Sequence, residues 1–378
     1  MTEQRTQRTQ RTHRTQRTPQ MPRTPRTLRI VGRTAALAVP LLLASCTSGA
    51  TGGGSPAHRV GAAPARRSER QQSTPSDGTG GSSLSEEPTT IVTVTTGGVL
   101  EVLDSSTGLP IRTLATDATG DEVSLSPDGS TVYFEVRTGC EHEIEAVPIS
   151  GGTPRAVAAG MDPAVSPDGS ELAYARQPDS TMPGCLPAGA GTDASQLALV
   201  VRNIATGQET TYPMSPQSLS AGLPEEIGHL SWGPDSRTLA VSIPAAQDNE
   251  GWQVVLLDTR TASYYVGTGT NPLPVPNAAS NSYYREGVFE PDGNLFVNLV
   301  CCAGEPATIS SSLLLTVSPS TGRVVRQIAV GFTDVDHTSL DVDRSGQWIL
   351  YLSGHNLLVS AYGNRPGTLA SGFVAAAW

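Results

Sequence analysis

Beyond residue 88 the chain is written in short apolar stretches separated by turn residues, and the spacing of the turns repeats. Leu125-Ser126-Pro127-Asp128-Gly129 recurs as Val165-Ser166-Pro167-Asp168-Gly169, Trp232-Gly233-Pro234-Asp235-Ser236 and Phe289-Glu290-Pro291-Asp292-Gly293, and in degraded form as Val342-Asp343-Arg344-Ser345-Gly346. Each copy follows an apolar stretch and precedes an alternating one, at 131–136, 171–176, 238–243, 294–299 and 347–352. Pro pre-sets one turn position, Asp caps the local backbone and Gly accepts positive φ, so the motif predicts a hairpin turn. Two more strand-like segments follow each hairpin: 143–149 and 154–158, 197–204 and 209–212, 254–258 and 263–266, 313–317 and 324–330, 357–361 and 367–370. Every unit therefore predicts four strands.

Tandem four-stranded units of about 40 to 50 residues indicate a β-propeller. The Ser-Pro-Asp-Gly hairpins also resemble the TolB-like, WD40-like propeller repeats of bacterial periplasmic and secreted proteins, over nearly all of residues 89–378. That family includes interaction scaffolds, sensors and domains appended to hydrolases, so the resemblance implies fold more than activity. The two ends set the blade count. Three strands without a fourth, 91–95, 99–104 and 111–115, precede the first hairpin, and one strand without partners, 372–378, follows the last repeat. Trp378 falls in register with Trp232, Val165 and Leu125. The expected fold is all-β: a six-bladed β-propeller of four-stranded antiparallel blades, closed by the C-terminal strand, which removes exposed sheet edges.

The first ninety residues do not fit this pattern. Residues 2–27 are an Arg-Thr-Gln near-repeat, and Met21 offers an alternative translation start. The apolar run 35–43 is far below the roughly 20 residues that span a bilayer but suits a signal-peptide core. It ends in Leu43-Ala44-Ser45-Cys46, which resembles the lipobox of bacterial lipoproteins and implies cleavage before Cys46 and lipidation of its thiol. Residues 47–88, rich in Gly, Ser, Thr, Pro and Ala, bury too little to offset chain entropy and read as a flexible tether. The expected organisation is a signal peptide with its low-complexity extension over 1–45, a lipidated Cys and tether over 46–88, and the propeller over 89–378.

Charge narrows the partners. The formal net charge is −10 with no lysine, and nine arginines and one acid, Glu3, precede residue 46, so the mature chain carries about −18. Such a surface repels nucleic acid and anionic headgroups, leaving the lipid anchor as the expected link to the membrane. At 16% charged and 37% hydrophobic the chain is not a disordered polyelectrolyte.

With strands named a to d within a blade, the a–b and c–d turns are tight and share one face. Longer b–c loops (177–195, 244–251, 300–310) and d–a loops (214–226, 267–284) emerge on the other. Irregular loops on a rigid scaffold usually carry binding, so a partner or ligand is expected on this elaborated face. Cys140, Cys185, Cys301 and Cys302 lie in or beside the b–c loops and are disulfide candidates. Cys140 and Cys185 belong to consecutive blades; Cys301 and Cys302 then form a vicinal pair or pair elsewhere, and four cysteines allow three connectivities. No CxxC spacing or nearby histidine cluster points to a metal, and no cofactor is expected.

Glu141-His142-Glu143 beside Cys140, and Asp334-Val335-Asp336-His337, are the candidates for cation or acid–base chemistry, against the alternative of solvated loop acids. Tyr283-Tyr284-Arg285 reads as an aromatic and cationic contact patch or as ordinary propeller packing. His229 and His355 stand singly and read as packed or capping histidines, and the recurring Asp128, Asp168, Asp235 and Asp292 belong to the turns themselves. Catalytic signatures such as Gly-x-Ser-x-Gly or His-Glu-x-x-His are absent. The expectation is a lipid-anchored, extracytoplasmic scaffold that binds a protein or ligand at the bacterial cell envelope. The alternative is a propeller enzyme, a hydrolase, lyase or sugar dehydrogenase, whose active site lies in the central channel.

Overall fold

Every regular element among the described residues is a strand, and the strands group in fours. The computed structural model describes residues 87–176, 198–213, 227–244, 252–264, 282–301, 311–332, 337–362, 364 and 366–378. The chain divides into two units, Met1–Asp77 and Gly78–Trp378, and all described residues belong to the second. Cys46, Cys185, Cys302, Asp334 and Asp336 lie outside the described residues.

The first blade takes β1 (Thr90–Thr95), β2 (Leu100–Asp104) and β3 (Pro110–Ala115). The second is β4 (Ala118–Leu125), β5 (Thr131–Thr138), β6 (Glu141–Pro148) and β7 (Arg155–Ala159); the third is β8 (Met161–Val165), β9 (Glu171–Arg176), β10 (Ala198–Asn203) and β11 (Glu209–Pro213). The fourth comprises β12 (Leu230–Trp232), β13 (Thr238–Pro244), β14 (Trp252–Asp258) and β15 (Ser263–Tyr264), and the fifth β16 (Tyr283–Phe289), β17 (Leu295–Cys301), β18 (Ser311–Val317) and β19 (Val324–Phe332). The sixth is β20 (His337–Val342), β21 (Trp348–Ser353), β22 (Asn356–Ala361) and β23 (Gly367–Ser371). The last strand, β24 (Phe373–Ala377), pairs antiparallel with β1 through Val92↔Ala377, Thr93↔Ala376 and Val94↔Ala375. It completes the first blade in the order β24-β1-β2-β3, as the sequence predicts.

Inner strands touch in succession around the full circle, β24 to β4, β8, β12, β16, β20 and back to β24. Period-two alternation gives each blade two apolar faces, and those faces meet between blades. One cluster joins Val92, Leu100 and Val102 of the first blade to Val132, Phe134 and Val147 of the second. Five similar clusters fill the other interfaces. At about 1.5–3 kcal/mol per fully buried large side chain, these interfaces are the main source of stability.

The repeated turns bear out the structural role of their aspartates. Asp128 Oδ1 accepts the Ser126 hydroxyl at 2.6 Å and the Ser130 N–H at 3.0 Å, while Ser126 Oγ accepts the Thr131 N–H at 2.9 Å. Asp168 repeats the pattern with Ser166 and Ser170. Gly129 (φ 68°) and Gly169 (φ 74°) take the left-handed position that this turn requires; where the third copy lacks Gly, Ser236 adopts it at φ 50°.

Candidate functional site

Counting back from the first residue of each turn shows how the inner strands build the channel. Two residues before it stand Ser124, Ser231 and Asp341, and each reaches sideways to the next inner strand. Ser124 Oγ accepts the Val165 N–H at 3.1 Å, Ser231 Oγ the Phe289 N–H at 3.0 Å, and Asp341 Oδ2 the Trp378 N–H at 2.8 Å. The last of these fastens the end of the closing strand.

Four residues before each turn stand Glu122, Asp162, His229, Glu286 and Ser339. All but His229 lie where strand pairing slips register, between Ala118 and Val123, Met161 and Ala164, Tyr284 and Gly287, and Thr338 and Asp341. Bulges of this kind re-aim side chains, here breaking the alternation so that polar groups are brought together. Asp162 and Ser339 carry the backbone change at φ 54° each. Glu122 and His229 then meet across the channel, Glu122 Oε1 to His229 Nδ1 at 2.5 Å, with side chains 14% and 8% exposed. The pair joins the second blade to the fourth and skips the third.

Above this pair a cavity of about 740 Å³ opens toward the face of the Pro-Asp-Gly hairpins. Glu122, His229 and Asp341 lie at its base, and Leu125, Val165, Trp232, Phe289, Val342 and Trp378, the residues just before the turn in the six blades, form an apolar collar. Trp232 is fixed by its indole N–H, which donates to the Ala164 carbonyl at 2.9 Å. Burial pushes the Glu122, Glu286 and Asp341 carboxyls up, Glu286 to about 7 and Asp341 to about 6. Burial opposes a charge on His229, but the adjacent Glu122 carboxylate, aided by Glu286 and Asp341, holds its pKa up at about 9. The Glu122 carboxylate beside it favours the protonated imidazole, while burial favours the neutral form of the carboxyls.

The residues singled out by sequence lie elsewhere. Glu141 is exposed at the start of β6. His142 is not a loop group but is buried beside it, its Nδ1 2.6 Å from Glu135 Oε1. Tyr284 corrects the contact-patch reading: it is 1% exposed and packs with Val254, Val297 and Leu299 between the fourth and fifth blades, because strand alternation turns it inward. Tyr283 and Arg285 are half-buried, and Arg285 lies near enough to Glu286 to favour its ionised form. His337 opens β20, its backbone paired with Ser353. Cys140 is exposed and disulfide-bonded, its partner lying outside the residues whose side chains are described; Cys301 ends β17. His355 Nδ1–H donates to the Phe373 carbonyl at 3.0 Å, capping the entry to the closing strand. The channel cavity opens on the hairpin face, opposite the long loops favoured by sequence. Among the described residues no group of three His, Cys, Asp or Glu is placed to hold a metal ion. The missed signal was a polar residue at one position of the repeat.

Neither a family model nor a curated protein matches the sequence. Among solved structures the chain is similar to TolB from Acinetobacter baumannii, with 14% identity and a TM-score of 0.50 over 76% of this chain; it spans 65% of that protein's length. It is also similar to a putative TolB from Agrobacterium tumefaciens, with 13% identity and a TM-score of 0.46 over 76% of this chain and 91% of that one. A chain of a nidogen/laminin complex gives 11% identity and a TM-score of 0.48 over 76% of this chain and 97% of that one. The likeness is one of fold, that of the TolB-like six-bladed β-propellers.

Proposed function

We propose that the chain is a lipid-anchored binding scaffold of the bacterial cell envelope, which takes a protein segment or small ligand into the funnel on its hairpin face. The observation that carries this is the funnel itself: a 740 Å³ cavity with an apolar collar contributed by six blades and a polar base. Concave sites with apolar walls and a few convergent polar groups are the usual form of a binding site. In this reading residues 1–45 are removed, Cys46 carries the lipid, and the tether through residue 88 holds the propeller some tens of ångströms from the membrane. A Cys140–Cys185 disulfide staples neighbouring loops on the far face. Glu141, Tyr283, Arg285, Asp334, Asp336 and His337 remain candidates for a second contact there.

The test uses a photo-crosslinking residue at Val165 in the collar or at Glu141 on the opposite side, in cells expressing the full chain. A specific adduct from position 165 that disappears when the funnel is narrowed by Val342→Trp in the collar supports the reading; adducts only from position 141 overturn the placement. Fatty-acid labelling that is lost in Cys46→Ala tests the anchor separately.

A second reading, catalysis in the channel, is favoured by one observation: carboxyl groups held above their usual range beside a protonated histidine in a cleft. That arrangement is typical of acid–base sites. Turnover of a lactone, glycoside or sugar by the purified chain, lost in Glu122→Gln while binding persists, would establish it.

A further inference from the structure

A second cleft, of about 790 Å³, opens between the third and fourth blades and shares no lining residue with the funnel. Its origin is a missing plug. Where the third strand of a blade runs into its outer turn, one N–H reaches back to the carbonyl just past the hairpin: Ile149 to Ser130, Ile204 to Ser170, Thr259 to Arg237 and Tyr362 to Gln347. Ile149, Ile204 and Tyr362 pack into the interface of their own blade with the preceding one. The fourth blade carries Thr259 at this place, a side chain too short to fill the gap, and the cleft stands there.

The walls are tied to each other. Ser236 Oγ accepts the Asp168 N–H at 3.1 Å, and the Tyr212 hydroxyl donates to the Thr259 carbonyl at 2.6 Å, so both bonds cross from the third blade to the fourth. Pairing sets Glu171 opposite Asn203 and Val201 opposite Thr210, and alternation therefore turns Glu171, Val201, Thr210 and Tyr212 to one face of the third blade. Val201 and Tyr212 are buried and give the cleft an apolar floor. The side chains of Glu171, Gln208 and Thr210 on one wall and of Arg260 on the other make no hydrogen bond among the described residues. A carboxylate, an amide, a hydroxyl and a guanidinium thus stand unengaged around a preformed space.

This set holds both signs of charge. A lone cation or anion answers one of them and leaves the other, and an aliphatic ligand strands all four polar groups. A sugar hydroxyl donates to a carboxylate and accepts from a guanidinium or an amide, so a polyhydroxyl ring serves the whole set without adding charge. Its C–H face meets the apolar floor, and the cleft falls within the roughly 300–1,000 Å³ of small-molecule sites. We propose that the cleft between the third and fourth blades is a binding site for a neutral saccharide, with Glu171 and Arg260 as its main hydrogen-bonding partners.

The full chain applied to an array of neutral and anionic glycans tests this. Retention on a neutral glycan is expected, and competition by the same glycan in solution gives the affinity. Thr259→Ile, which restores the residue that the second and third blades carry, should abolish binding. Glu171→Ala should weaken it about tenfold or more, as the loss of one charge-assisted hydrogen bond implies. The melting curve of that variant should stay unchanged, because the Glu171 side chain makes no hydrogen bond in the fold. Val342→Trp, in the collar of the funnel, should leave saccharide affinity as it is, which separates this site from the funnel. An array on which no neutral glycan is retained overturns the proposal, as does binding that survives Thr259→Ile or is confined to anionic glycans.

Discussion

Glu122 and His229 are 107 positions apart in the chain and 2.5 Å apart in space, closing the channel between two blades that are not neighbours. The contact bridges the ring as no backbone hydrogen bond among the described residues does, and it places His229 at the base of the funnel.

This arrangement has a pH signature. His229 is raised to about 9 in the folded chain, so its contribution is complete below the unfolded value near 6.5 and is lost as pH rises through 9. Glu286 and Asp341 are raised to about 7 and about 6, so the folded state also holds their protons more tightly than the unfolded state does. Both effects have one sign: stability should fall as pH rises from 5 to 9. The histidine alone accounts for on the order of 3 kcal/mol. Urea midpoints across this range should decline, and His229→Gln should flatten the part above pH 7. A midpoint that rises toward pH 9 would refute the assignment.

The closing strand is held by β1 pairing, by the Asp341 bond to the Trp378 N–H, and by the cluster of Phe373 with Ile91, Leu103 and Leu350. Removing residues 373–378 leaves β1 as an open, apolar edge. The shortened chain should lose its monomeric peak in size-exclusion chromatography and appear as aggregate.

Glu290 stands where two other copies of the turn have serine, and it does a different task. It is 2% exposed, accepts the Thr316 hydroxyl at 2.7 Å and the Tyr362 hydroxyl, and pairs with Arg326 at 3.0 Å, whose guanidinium lies 3.8 Å from the Tyr362 ring centre. Glu290→Ser restores the usual turn residue yet strands two hydroxyls between the fifth and sixth blades. A loss of about 2–3 kcal/mol is expected by chemical denaturation, with little of it from the ion pair because Arg326 is 40% exposed.

Gly160 is required by close packing. A Cβ there would stand 2.4 Å from Tyr174 Cδ2 and 2.6 Å from the Ala175 carbonyl oxygen, and the Tyr174 side chain is fully buried. Gly160→Ala should cost about 1–3 kcal/mol by urea unfolding, the usual penalty of overpacking; an unchanged midpoint would show that the blade yields there.

The architecture was legible because its causes are local and repeated. Pro, Asp and Gly at fixed offsets specify each hairpin, period-two alternation specifies strands with two buried faces, and three strands lacking a fourth at one end with a lone strand at the other are satisfied by ring closure. The repeat also carried the candidate site in plain view, as Glu122, Asp162, His229, Glu286 and Ser339 at one offset from the turn. Read along the chain, each is a polar residue ahead of an apolar stretch, and nothing local distinguishes it from a solvated one. The bulges that aim these side chains inward, the ring that sets Glu122 against His229, and the burial that shifts their protons exist only when six blades have closed. Alternation likewise left Tyr284 open between surface and core until a neighbouring blade covered it. Sequence by itself determined the blades and their closure, because those follow from contacts within a repeat; the tertiary structure decided the site, because its charges interact across an axis that no single repeat contains.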